Sequence, residues 1–242
     1  MNLAIGDGFN LGWKLAAVAT GQAHEHLLDS YGVERYPVAK TVLRGSDRGF
    51  ALETGSHPVA RWVRANIATR LVGPLTRLNA VRSAIFALFS QIWIAYPHSP
   101  AVADERSRRA GPRPGDRAPF GRFEVTHERA SVFEVCGGAR HHLLLFEGPT
   151  PDMRSPSRRH VLEGLLAQYA VDITIHDVPA AEPTLHARYG ARSPLVWLIR
   201  PDGHLAYAGA PDDLDGLRSY LDRIYIRQAA ASGQQDGGSE RN

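Results

Sequence analysis

The 242 residues hold a single cysteine, Cys136, so no disulfide can form within the chain. A lone thiol suits a reducing compartment, and a cytoplasmic location is expected. Long apolar runs are missing too. The most apolar window, residues 84–95, contains Ser90 and Gln91 and is too short to span a bilayer, so no membrane partner is expected. No basic segment followed by an apolar stretch and a small-residue cleavage site opens the chain, and no secretory leader is expected. Charge of one sign does not dominate: the formal balance is +3. Its basic excess is mostly arginine, with Arg106, Arg108, Arg109, Arg113 and Arg117 inside one Pro/Gly-rich stretch that has no aromatic residue. That composition reads as a solvated linker, and no nucleic-acid partner is expected.

What is present first is helical periodicity. Residues 4–20 place Leu11, Leu15 and Val18 on one apolar stripe and Asp7, Asn10 and Lys14 on a polar side, with Gly21 at a C-terminal cap position. A second helix is predicted from Glu25, with Leu28, Tyr31, Val38 and Val42 as its apolar positions; Pro37 is expected to kink or restart it. Residues 57–72 read as a weaker, arginine-rich helix ended by Gly73-Pro74. Leu75, Leu78, Val81, Ile85, Leu88 and Ile92 then repeat at three and four, as an amphipathic helix requires.

From Pro97 to Pro119 the pattern vanishes, which marks a connection between domains. Beyond it, strands are predicted at His141–Phe146, Val171–Val178, Pro194–Ile199 and His204–Ala208, the last two joined by the turn Arg200-Pro201-Asp202-Gly203. Helices are predicted over Ser157–Tyr169 and through Leu214, Leu217, Leu221 and Ile224. The order β-α-β-α-β-β-α is a thioredoxin-like arrangement. Residues 229–242, rich in Ala, Ser, Gly and Gln, are expected to be disordered.

Candidate chemistry is sparse. Thiol exchange needs a second cysteine near Cys136, and none exists, so a small buried thiol is expected. His141 and His142 are adjacent on a strand and point to opposite faces, and no third ligand lies near them in sequence, so no metal site is expected. His24 and His26 fare no better, and no Ser-His-Asp set has nucleophile-elbow context. No catalytic residue is assigned. Gly6, Gly8 and Gly12 give G-x-G-x-x-x-G, which is not the dinucleotide spacing.

The run from Met1 to Ala16, MNLAIGDGFNLGWKLA, resembles a block of the class A FAD-dependent aromatic hydroxylases, the group of phenol hydroxylase and the polyketide hydroxylases. Leu27-Leu28-Asp29-Ser30-Tyr31, Glu34-Arg35 and Pro37-Val38-Ala39 are similar to the segment that follows in that family. Pro114-Gly115-Asp116-Arg117-Ala118-Pro119 resembles its entry into a C-terminal thioredoxin-like domain. Tyr189-Gly190-Ala191 and Leu198-Ile199-Arg200-Pro201-Asp202-Gly203, with Ala206-Tyr207, resemble that domain's last strands. The resemblance covers nearly the whole chain apart from the tail.

It implies an α/β chain: a mostly helical remnant of the FAD-binding and substrate domain over 1–97, a linker over 98–118, a thioredoxin-like domain over 119–228 and a tail over 229–242. It implies FAD as cofactor, NAD(P)H as co-substrate and an aromatic small molecule, phenolic or polyketide-like, as substrate. Carried over by position, Met1, Asn2 and Leu3 supply flavin contacts through backbone and the Asn2 amide; without the loop that precedes them in the family, they are expected to fray. The family's GxGxxG turn, its later Gly-Asp motif and most of its substrate-binding sheet have no counterpart in these residues, so the chain is expected to start within a domain and to be inactive alone. A partner-binding or dimerising module, including a homodimer, and one half of a split enzyme completed by an N-terminal half, stand as alternatives. The 4–20 helix is expected to lack a sheet to pack on, leaving residues before Pro97 looser than the 119–228 domain.

Overall fold

The computed structural model describes residues 2–54, 58–63, 65–66, 70, 74, 77–125, 128–151 and 153–228. Met1, the predicted tail 229–242, much of the predicted 57–72 helix, Gly73 and Leu75 lie outside them, as does the side chain of Asn2. Helix α1 spans Asn2–Ala19. Gly21 follows it at φ +71°, the left-handed cap expected there. A 3-10 turn, Glu25–Leu27, leads into α2, Asp29–Thr54. This helix runs on through Pro37 rather than restarting. Val33 and Pro37 both face solvent, where water can take the carbonyl that proline leaves without a partner. Helices α3 (Pro58–Val63) and α4 (Asn79–Ser90) follow, α4 ending at Gln91 in a left-handed conformation.

The second half is built on a five-stranded sheet. Its strands are β1 (Ala103–Asp104), β4 (His141–Phe146), β5 (Ile173–Val178), β6 (Leu195–Ile199) and β7 (Leu205–Gly209), in the order β1-β7-β6-β4-β5. Pairs β4–β5 and β1–β7 are parallel; β4–β6 and β6–β7 are antiparallel. A small hairpin, β2 (Arg122–Val125) with β3 (Glu128–Ser131), and the short helix α5 (Val132–Val135) precede β4. Helices α6 (Ser155–Leu166), α7 (Pro183–Tyr189) and α8 (Leu214–Ile224) complete the predicted β-α-β-α-β-β-α order.

Strands β4, β6 and β7 are buried at every position, because both faces of the sheet are covered. Leu143, Leu145, Val196 and Leu198 point to one side, where they meet Leu162, Leu165, Leu217 and Leu221 of α6 and α8. Leu144, Phe146, Trp197 and Ile199 point to the other, against Leu185, Tyr189, Phe123 and Val132.

Helix α1 does have a sheet to pack on. Trp13 and Ala17, with Ala23 and Leu27, belong to the first of these cores. The expectation that α1 would lack a sheet to pack on is therefore corrected. So is the choice of its buried face. Asn10, Trp13, Lys14 and Ala17 are buried, whereas Leu15 is 47% exposed and Phe9 66%.

The stretch read as a solvated linker is tied down as well. The Gly115 N–H donates to the Leu205 carbonyl, the Leu205 N–H to Asp116, and the Ala118 N–H to Gly203. Arg106 is buried rather than solvated, paired with Asp104 at 2.7 Å and lying 4.6 Å over the Trp197 ring. Gly115 sits at φ +94°, and a Cβ there would stand 2.4 Å from the Tyr96 carbonyl oxygen, so only glycine lets the chain pass that close.

Candidate functional site

Three segments far apart in sequence meet at one buried ionic cluster. Asn10 and Lys14 come from consecutive turns of α1, Glu34 from α2, and Arg200 and Asp202 from the β6–β7 turn. That turn closes by a Gly203 N–H donated to the Arg200 carbonyl, with Gly203 at φ +77°. Arg200 donates from Nη1 to Glu34 Oε1 at 2.7 Å and from Nη2 to Oε2 at 3.0 Å, a two-pronged pair. It also grips Asp202, through Nε to Oδ1 at 3.0 Å and through Nη2 to Oδ2. Lys14 Nζ donates to Glu34 Oε2 at 2.8 Å and to Asn10 Oδ1 at 3.0 Å, and Ser99 adds a hydroxyl to Glu34 Oε1.

Two cations thus face two carboxylates, which is the condition for keeping charge in an interior. Burial disfavours the ionised form of Glu34, but the charge and hydrogen bonds of Arg200, with Lys14, override it and hold its pKa at about 2. Burial acts alike on Asp202 and is likewise overcome by Arg200, so its carboxyl lies well below the usual range. For Lys14, burial and then the charge of Arg200 win over Glu34, and its pKa falls to about 8. The guanidinium of Arg200 is flanked by the rings of Trp13 at 5.1 Å and Tyr96 at 5.5 Å.

Beside this cluster, at the start of α1, Arg35 donates from Nε to Asp7 at 2.6 Å, from Nη1 to the Tyr96 hydroxyl at 3.0 Å and from Nη2 to the Leu3 carbonyl at 3.2 Å. Leu3, the predicted site residue that is described, packs beside Val38, Ile94 and Tyr96. Asp7 pairs with Arg35, and the buried Asn10 hydrogen-bonds within the ionic cluster. An open cavity of about 780 Å³ borders the cluster, lined on one side by Gly8, Phe9, Gly12 and Trp13 and on the other by Arg117, Asp202 and His204.

Glu34 was legible in principle: it stands three residues after Tyr31 and four before Val38, on the apolar stripe of α2, where a carboxylate needs a buried partner. Which partner it takes was not legible. His141 and His142 do face opposite ways. His141 contacts Trp13 and shares a 2.7 Å hydrogen bond with the Tyr225 hydroxyl. His142 lies 3.0 Å from His176 of the neighbouring strand, a neighbour missed by a search along the sequence alone.

A thioredoxin-like sheet carrying an ion-paired helical segment is the class of architecture that the fold and cluster define. Comparison with known proteins narrows it. Residues 1–46 match the family model of an FAD binding domain, and residues 111–227 match that of the aromatic-ring hydroxylase C-terminal region. The chain is 30% identical over 234 residues to aklavinone 12-hydroxylase RdmE of Streptomyces purpurascens, covering 92% of this chain and 40% of the relative. It is 31% identical over 237 residues to 6-methylpretetramide 4-monooxygenase of Streptomyces rimosus, covering 93% and 41%. A solved structure of the rebeccamycin biosynthetic enzyme RebC with reduced flavin superposes at a TM-score of 0.61 with 28% identity, covering 92% of this chain and 40% of that one. The chain thus carries, in this order, a segment of the FAD binding domain family and the C-terminal region of the aromatic-ring hydroxylases. It spans about two fifths of the length of these relatives. Among the described residues, no helix is long and apolar enough to cross a membrane.

The residues present fit one end of an FAD. The first turn of α1 has no acidic residue, so its amide N–H groups favour an electron-rich ring edge there, and Arg35, paired with Asp7, lies against it. Among the described residues, the pyrophosphate end has no such fit. Gly6, Gly8 and Gly12 all lie inside α1 rather than in a strand-to-helix turn, and the space beside Gly6 is taken by Arg35.

Proposed function

We propose that these residues are the C-terminal part of an FAD-dependent, NAD(P)H-using monooxygenase that hydroxylates an aromatic substrate, phenolic or polyketide-like, and that they do not hydroxylate by themselves. The observation that carries this reading is that an FAD-domain match and a hydroxylase C-terminal match follow one another in a single chain and are joined by the Glu34–Arg200 pair. When bound, FAD supplies the redox and oxygen chemistry. The chain supplies placement. By their place in the sequence Met1, Asn2 and Leu3 are assigned to the flavin end, the N–H groups at the start of α1 favour negative charge there, and the buried cluster holds α1 on the sheet. The names of the relatives, an aklavinone 12-hydroxylase, a 6-methylpretetramide 4-monooxygenase and a 2,4-dichlorophenol 6-monooxygenase, support an aromatic substrate.

A second reading, one half of a split flavoenzyme, draws on the cavity beside α1, which is bordered by the half-exposed Ile5 and the exposed Phe9. A complementing N-terminal half would cover those side chains.

The test is a pair of measurements. FAD titrated into the purified chain is expected to give no saturable fluorescence change and no NADPH oxidation with phenolic substrates. A chimera in which this chain replaces the matching region of 6-methylpretetramide 4-monooxygenase is expected to retain FAD. Hydroxylation by the chain alone would overturn the fragment reading, and a folded chimera without FAD would overturn the family placement of α1.

A further inference from the structure

One cluster of ligating side chains plays no part in the reading above. Cys136 closes α5, His142 stands on β4, and His176 on β5. Parallel pairing sets His142 opposite Thr174 and Leu144 opposite His176, so the two histidines share a face one diagonal apart. Their rings stack with centroids 5.3 Å apart, and Nδ1 of His142 lies 3.0 Å from Nε2 of His176. Cys136 Sγ completes the group, the three donor atoms lying within 4.8 Å of one another. Cys136 and His142 are buried and His176 is half-buried, so the cluster is walled on the core side and open on the other. Nε2 of His142 has no hydrogen-bonding partner.

We propose that Cys136, His142 and His176 bind a transition-metal ion of the zinc class, with a fourth position left to water. Two imidazoles and a thiolate are the donor set that such ions select over calcium and magnesium. An ion holding sulfur at about 2.3 Å and nitrogen at about 2.0 Å keeps its donors roughly 3 to 4 Å apart, so the donors, now within 4.8 Å of one another, must close only slightly. Burial lowers the pKa of His142 and brings that of His176 down to about 4, the direction that favours the neutral imidazoles a metal needs. Burial also raises the Cys136 thiol to about 12, so the ion must displace its proton on binding.

The test is a Co²⁺ titration of the tag-free full chain, followed by displacement with Zn²⁺. Expected are a sulfur-to-cobalt charge-transfer band that saturates at one equivalent, its loss on adding Zn²⁺, and its absence in Cys136→Ser. In His176→Gln, a substitution at a half-buried position, affinity should fall by more than the roughly tenfold cost of losing an outer partner. One equivalent of Zn²⁺ should raise the Tm of the parent chain and not that of His176→Gln, a readout that stands even if Cys136→Ser fails to fold. No band in the parent chain, a band that survives in folded Cys136→Ser, or a Zn²⁺-induced Tm shift undiminished in His176→Gln would overturn the proposal.

Discussion

Arg200 shows why single residues carry so much here. Its guanidinium is wholly buried, yet each of its two sides meets a carboxylate, Glu34 or Asp202, so no charge is left unpaired. Removing one partner is then expensive. Glu34→Gln leaves Lys14 and Arg200 with one buried carboxylate between them and should cost about 3–5 kcal/mol in urea unfolding at neutral pH. The pH dependence follows from the depressed carboxyl. Glu34 falls from 4.5 to about 2 on folding, so the unfolded chain binds more protons between those values. Its contribution is complete above 4.5 and is lost as the pH drops towards 2. The parent chain should therefore lose stability across that window more steeply than Glu34→Gln. Parallel slopes would show that Glu34 is not held ionised by the fold.

Among the elements, α1 and the 98–118 stretch behave differently from what their sequences suggest. The apolar stripe Leu11, Leu15 and Val18 is real, but burial goes to the face bearing Asn10, Trp13, Lys14 and Ala17, because only that face offers partners for Glu34 and the sheet. The Pro/Gly-rich stretch is an edge of the sheet, and its glycines mark where backbones pass closely. Gly115→Ala places a Cβ on the Tyr96 carbonyl and a side chain at φ +94°. It should destabilise by about 1–3 kcal/mol, read as a lower denaturation midpoint at unchanged slope. A neutral result would mean that the chain does not pass Tyr96 as closely as described. Predicted strands and helices after residue 140 match the observed ones to within a few residues, because alternation, caps and the Pro-Asp-Gly turn are local signals.

For the molecule as a whole, the main core runs from Trp13 and Ala17 through Leu143 and Leu198 to Leu221, so α1 and the sheet should open together. Amide exchange should show the second half of α1 protected to the same degree as β4 and β6, and Glu34→Gln should release α1 first. Faster exchange in α1 of the parent chain would separate the two. The amino-acid sequence by itself determined the α/β class, the strand and helix order after residue 140 and the family, since these rest on periodicity, turn chemistry and ordered motifs read within short windows. Only the tertiary structure decided which face of α1 is buried, that Arg106 is interior, that Glu34 meets Arg200 across 166 positions, and that Cys136 and His176 flank His142. The physical reason is that the burial of a charge or the assembly of ligands depends on what arrives opposite. Partners brought together by the packing of a sheet leave no period in the chain.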